Sequence, residues 1–486
     1  MQRMKRLWSS NPRWLRITAA GFVAIVILYW LTLWAFVTMV LGEPAFGHLF
    51  EGPQDTSAIA AAQADPERDK IIRLDASTPP DLQPVMNAIG STPVVGVGEA
   101  SHGSHEFFTF RQELAKRLIS ERGFRLIGIE AGAADGEALN RYINGSNEDL
   151  DEVMAQQKFW IYDTTEFREI VTWLRHENAN RPVDQRVHIY GYDVQDFDKE
   201  AALLLTFMAE NGYSTSGLSA LRNPKFDDSS YLQALSATQL NEKISAANLA
   251  LKRMRALLLD QPRPTTREYD FAIYLLEGMQ TRLRLIQETD FDRAFTLRDR
   301  SMAANIRTAR SLNRGSPIML WAHNGHIGKS TLSGMPDGAK MMGYALQEIY
   351  AEEYMAIGMI FNAGGFVAHA PPSESPHYLM LSFAMSMFGD VPFPLMQTST
   401  PKSDRNPVLA LFKATEGNVA FLDIRKIAPK SSLHKLLASV QPYPMPGAVY
   451  VGPASARWEL SMTPMFDALV VFDTVSASQN KRLGIR

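Results

Sequence analysis

Four short apolar runs frame this chain: Pro93–Gly98 (PVVGVG), Phe124–Ile129 (FRLIGI), Val187–Tyr192 (VHIYGY) and Pro317–Ala322 (PIMLWA). Runs of this length, rich in Val and Ile and bounded by Gly, Pro or charge, read as buried strands. Helical patterns separate them, and such alternation predicts an α/β fold: a mostly parallel sheet flanked by helices. Tyr354–Phe361, Asn418–Asp423 and Ala468–Phe472 are further strand candidates. Phe107, Phe110, Leu114 and Leu118 recur at helical spacing and predict a helix over residues 104–121, ended by Gly123. Residues 164–179 read as a second amphipathic helix. Residues 199–312 carry few strand signals and read as a helical insertion or cap.

An ionisable residue follows each of the four runs at once: Glu99, Glu130, Asp193 and His323. In an open parallel sheet the carboxyl ends of the strands face one crevice, where ligands bind. A single acid there commonly serves only to cap the next helix. Three carboxylates and an imidazole together are the raw material of acid–base chemistry. The segment Gly98–Glu106 (GEASHGSHE) is the densest, with His102 directed toward the cleft by the strand–turn–helix geometry, and Ser104 and Glu106 placed to open the helix. His105 is expected to face solvent. Arg111 interrupts the apolar stripe of its helix, so its guanidinium points inward, either to a carboxylate or to an anionic group of a substrate. In Trp321–Ile327 (WAHNGHI), His323 and His326 stand three apart. With the nearby carboxylates they are either ligands for Zn, Mn or Fe, or groups that move protons and polarise a carbonyl. Arg298, on the last helix of the insertion, can project back toward the cleft.

Composition removes other chemistries. With no cysteine among 486 residues there are no disulfides, thiolate nucleophiles, Fe–S clusters or Cys-ligated zinc. Lys and Arg number 49 against 52 Asp and Glu, so no basic excess exists to hold nucleic acid. No Ser has Gly two residues away on both sides, and there is neither an HExxH nor a Walker A loop. GVGEAS resembles the start of a dinucleotide-binding loop, but Ser101 stands where the third Gly belongs and Glu99 would oppose a pyrophosphate. No cofactor is expected. A periplasmic ligand- or haem-binding module is the non-enzymatic alternative, because His-rich clefts also hold cofactors.

The N-terminal region reads separately. Ile17–Leu41 contains no charged residue and as a helix would extend roughly 37 Å, enough to span a bilayer. Arg3, Lys5, Arg6, Arg13 and Arg16 precede it and Glu43 follows it, which predicts a basic cytoplasmic tail (1–16), a lipid-embedded anchor (17–41) and the remaining chain outside. Residues 42–70 read as a polar linker and 71–486 as the folded body.

These motifs resemble those of the erythromycin esterase-like family. The likeness is carried by GEASHGSHEFFTFR at Gly98–Arg111, IEA at Ile129–Ala131, NRYI at Asn140–Ile143, GYDVQ at Gly191–Gln195, LRDRSMAANI at Leu297–Ile306, WAHNGHI, and FDALVVFD from Phe466. It implies hydrolysis of a small-molecule ester, a macrolactone in some members, by an activated water without an acyl-enzyme. His102 would be the base, with Glu99 and Glu130 orienting it. His323, Arg111 and His326 would polarise the carbonyl, and Glu106, Arg298 and Asp193 would complete the site. It also implies an α/β core with a helical portion over the cleft.

Overall fold

The computed structural model describes residues 56–74, 81–260, 267–332, 338–371, 393–401, 406–413, 418–450, 452 and 456–483. The apolar run 17–41, its basic tail and residues 42–55 lie outside the described residues. Among those described, no helix is long and apolar enough to cross a membrane.

The described strands are β1 Ile72–Arg73, β2 Val94–Val97, β3 Leu126–Gly132, β4 His188–Asp193, β5 Ile318–Trp321, β6 Tyr354–His369, β7 Leu395–Thr400, β8 Val419–Asp423, β9 Gln441–Pro444, β10 Arg457–Leu460 and β11 Ala468–Val475. Nine of them form one sheet in the order β1-β8-β11-β6-β2-β5-β3-β4, with β7 beside the distal half of β6. The run from β11 to β4 is parallel, while β8, β1 and β7 pair antiparallel. The expected mostly parallel α/β sheet is therefore present, and β9 and β10 add a separate two-stranded ribbon. The strand expected at 354–361 runs on to His369, because the chain leaves β2 behind and pairs with β7 instead.

The order matters more than the count. β5, made long after β3 and β4, inserts between β2 and β3. Val97 pairs with Trp321, Trp321 with Ile129, and Ile129 with Gly191, so the strands end along one row. Residues distributed in sequence as 99, 130, 193 and 323 thus occur in space as Glu99, His323, Glu130 and Asp193.

The helix His105–Arg122 buries Phe107, Phe110, Leu114 and Leu118 against the sheet, and Gly123 stops it in the left-handed conformation at φ 70°. Residues between 197 and 283 build a second apolar core of their own, around Leu204, Leu251, Met254, Leu275 and Met279. The helix Phe291–Leu312 leaves this insert and packs on the main core through Met302 and Ile306. Residues 56–70 correct the expected linker. Helix Thr56–Gln63 and the turn Pro66–Lys70 dock on the body: Asp65 accepts from Leu433 N–H (3.0 Å), Glu67 accepts from Ala428 N–H (2.7 Å), and Ala62 is fully buried. The polar composition that suggested a free linker is used for these cross-chain bonds.

Candidate active site

The turn carrying His102 is held from several sides. His102 N–H donates to the Gly447 carbonyl (3.4 Å), and Gly447 N–H donates to that of Ala100 (3.3 Å). The Gly103 carbonyl accepts from Val367 N–H (3.0 Å) and Ser478 N–H (2.8 Å). A β-carbon at position 103 would collide with the Val367 backbone, so only glycine lets β6 approach this closely. The segment 476–482 continues past the turn, with Gln479 accepting from Thr165 N–H (3.0 Å) and Lys481 N–H donating to Asp163 (3.0 Å).

Within the turn, Glu99 divides its oxygens. Oε1 meets His102 Nδ1 at 2.8 Å and Oε2 accepts from Arg111 at 2.5 Å. Arg111 is buried, with its guanidinium 4.8 Å from the Trp321 ring and 5.0 Å from that of Phe108. Burial disfavours the Glu99 charge, but Arg111 and His102 outweigh it and hold the carboxyl below its ordinary range. With Nδ1 directed at an anion, the proton sits there and the lone pair lies on Nε2, which no described residue engages. His102 retains 9% exposure, the most among the site's histidines and carboxylates.

His323 lies beside it, ring centroids 5.4 Å apart. Its Nδ1 accepts from Gly325 N–H (3.1 Å), which leaves the hydrogen on Nε2, 3.2 Å from the Ala100 carbonyl. Burial first, and the neighbouring His102 next, push it down to about 3, so it is a neutral donor. The Trp458 ring packs edge-on at 5.3 Å.

Glu130, Arg298, His326, Asp193 and Asp299 form a second, closed group. Glu130 Oε2 accepts from His323 N–H (3.0 Å), and Oε1 meets Arg298 (3.0 Å) and His326 Nε2 (3.2 Å). Arg298 also forks onto Asp193 at 2.9 and 2.8 Å. His326 Nδ1 lies 2.9 Å from both oxygens of Asp299, and Phe295 stacks on its ring at 5.4 Å. Burial opposes charge on His326, but Asp299 and Glu130 raise it to about 10, so it is an imidazolium at neutral pH. Glu130, buried but facing His326 and Arg298, is held well below the usual carboxylate range.

Glu99, His102, His323, Glu130, His326, Arg298 and Asp193 are therefore contiguous. Three expectations change. Arg111 is spent on Glu99 and does not reach the cleft; its inward direction serves an ion pair. His326 has both nitrogens engaged, by Asp299 and Glu130, and offers no free nitrogen to a carbonyl. Glu106 does not enter the site: its carboxylate accepts from Ser476 N–H and Oγ, both at 2.7 Å. Ser104 occupies the cap position without a capping bond from its hydroxyl. His105 meets the carboxylate of Glu166 at 2.8 Å. Sequence reasoning missed Asp299, although it precedes Met302 by three and Ile306 by seven residues and so lies on the buried stripe of its helix. It also missed Tyr162, whose phenol is pushed well above its ordinary value by burial and then by Glu130 and Glu99, and stays protonated.

Among the described residues no group of three or more His, Asp or Glu side chains is arranged to hold a metal ion. The site is an acid–base centre at the carboxyl ends of parallel strands, an arrangement suited to hydrolysis. The model of the family described as erythromycin esterase matches residues 119–475, and the chain belongs to that family. The matched stretch contains Glu130, Asp193, Arg298, His323 and His326, and the Gly98–Arg111 turn precedes it. The erythromycin esterase type II of Escherichia coli is 24% identical over 323 residues, covering 61% of this chain and 75% of that protein. A putative hydrolase of Bacillus subtilis (strain 168) is 23% identical over 319 residues, covering 60% and 70%. Among solved structures, a succinoglycan biosynthesis protein superposes with a TM-score of 0.68 at 20% identity, over 89% of this chain and all of that one. An erythromycin esterase mutant in its open conformation gives 0.59 at 18% identity, over 83% and 95%. At these identities the solved structures speak for the fold.

Proposed function

We propose that this hydrolase cleaves a carboxylic ester with a water activated by His102, without a covalent acyl-enzyme. One observation carries the reading: Glu99 meets His102 Nδ1 at 2.8 Å while Nε2 is left unengaged beside a neutral His323. A water on Nε2 loses its proton to the imidazole as its oxygen attacks the carbonyl, and the Glu99 charge stabilises the imidazolium that forms. The proton then passes to the leaving alcohol. His323 Nε2–H, now on the Ala100 carbonyl, is the donor nearest the developing oxyanion; such donors are typically worth about 3–4 kcal/mol. Arg111 acts through Glu99. Arg298, His326, Asp299 and Asp193 act through Glu130, which fixes the backbone of His323.

The uncharged run 17–41 supports a second part of the proposal: a single-pass anchor with the N-terminus cytoplasmic and the catalytic body periplasmic or extracellular. Protease protection of the body in intact cells would argue against that orientation.

The test is a panel of esters, including a 14-membered macrolide, offered to the full chain and to His102→Ala, each with and without chelator. The expected result is turnover of at least one ester, a loss on the order of 10²–10⁴-fold in the variant, and no response to chelation. Equal rates in the two proteins reject the base. Loss of activity on chelation rejects the metal-free route in favour of a metal-dependent hydrolase using the same residues.

A further inference from the structure

A second group of acids lies behind the site, where the chain passes from β4 into the helical insert. Asp196 and Glu200 are both buried, and Asp196 Oδ2 and Glu200 Oε2 have no hydrogen-bond partner. A β-carbon built on Gly132 would collide with Asp196 Oδ2 and lie 2.9 Å from Glu200 Oε1. Those two oxygens are therefore within about 5 Å of each other, a separation at which neighbouring carboxylates oppose each other's ionisation.

The surroundings add negative charge. Facing the pair are Asp135 from the helix Ala133–Ile143, Asp227 from the loop beyond the helix Asp198–Glu210, and, beside Glu200, the buried phenol of Tyr274 from the helix Arg267–Gln287, which stays protonated. Against them stand Lys158, bonded to Asp196 Oδ1 and 3.6 Å from Asp227, Lys199 on Asp135 (2.5 Å), and Arg282, 3.7 Å from Asp227. Four acids thus meet three cations, and the cations sit on Asp135, Asp227 and one oxygen of Asp196. None touches Glu200.

Glu200 occupies a joint. Its Oε1 accepts from Ala134 N–H (3.2 Å), just past the end of β3, while its own helix begins the insert. Gly132 pairs with Asp193, and Gln195 donates to Asp193 Oδ2 (2.7 Å), so the β3 end, the 193–196 turn and the insert meet at this carboxyl. We infer that Glu200 is a positioning residue: it shares one proton with Asp196, and the neutral carboxyl keeps this joint closed so that Asp193 stays on Arg298. Burial and then the Asp196 charge raise Glu200 to about 8, and burial raises Asp196 to about 6 against Lys158. Between the ordinary 4.5 and about 8 the unfolded chain has released a proton that the folded chain keeps, so stability declines as pH rises across that window.

The role in turnover rests on the ester-hydrolase reading, and the shared proton does not, so two measurements on the full chain separate them. Infrared spectra at neutral pH should show a buried protonated-carboxyl band that titrates near pH 8 and is missing from Glu200→Gln. Ester turnover should fall along an alkaline limb centred near the same pH. Glu200→Gln should keep the neutral rate and lose that limb, and Glu200→Ala should lose turnover at every pH. If Glu200→Gln does not fold, Asp196→Asn serves, because removing that charge should move the limb. A wild-type spectrum without the band, a limb that persists in Glu200→Gln, or one unmoved in Asp196→Asn overturns the proposal. If the wild type hydrolyses no ester, the functional reading fails while the infrared measurement still decides the proton.

Discussion

The His102 turn and the His326 group use the same residue types to opposite ends. Each sets an imidazole against a carboxylate and adds an arginine, buried in the first and half-buried in the second. In the turn, Glu99 takes one nitrogen and the other has no partner among the described residues. In the second group both nitrogens are occupied, by Asp299 on one side and by Glu130 on the other. Saturation of partners, not residue identity, separates a group that can exchange protons from one that holds geometry. The charge states agree. The closed environment fixes His326 as an imidazolium raised to about 10, whereas His323, three residues earlier, is pushed down to about 3 by burial and then by the neighbouring His102.

The sharpest way to break this comparison is to remove each side separately. His102→Ala should lower ester turnover on the order of 10²–10⁴-fold while leaving the melting temperature unchanged, measured by steady-state kinetics beside calorimetry. Arg298→Ala should do the reverse in kind. It leaves Asp193 buried without its cation and Glu130 with His326 alone, so denaturant unfolding should show a loss of about 3–5 kcal/mol together with lost activity. A smaller effect separates His326 by pH. Its folded value exceeds the ordinary 6.5, so its contribution is fully present below about 6.5 and is lost as pH rises through about 10. Melting temperature should therefore fall between pH 8 and 10 in the wild type, and His326→Gln should flatten that slope. The smallest effect concerns Glu106. With its carboxylate on Ser476, Glu106→Ala should cost about 1 kcal/mol of stability and leave turnover unaltered.

Much of the site was legible because strand ends announce themselves locally: an apolar run, then Glu99, Glu130, Asp193 or His323. Arg111 was legible for a related reason, since a charge on an apolar helical stripe must point inward. Its destination was not, because the choice between Glu99 and a ligand depends on the distance across a turn. Spatial order was hidden altogether. Nothing in Ile318–Trp321 states that this strand will insert between two made earlier, yet that insertion sets His323 between Glu99 and Glu130. Glu106 misled because its first-turn position describes a helix end and not the segment that meets it, which here lies 370 residues away. Residues 56–70 misled similarly: their acids bind backbone near residues 428 and 433, a contact no local pattern encodes.

The Gly103 turn is gripped by Ser478, close to the last described residue. During synthesis, then, the ribosome releases Glu99 and His102 early, while the backbone that clamps them is still untranslated. A nascent chain therefore carries these side chains without the frame that aligns them until residues 476–482 have been made. The same dependence makes the segment 476–482 a sensitive place to nick: a protease cutting before Ser476 would loosen a turn hundreds of residues upstream without touching it.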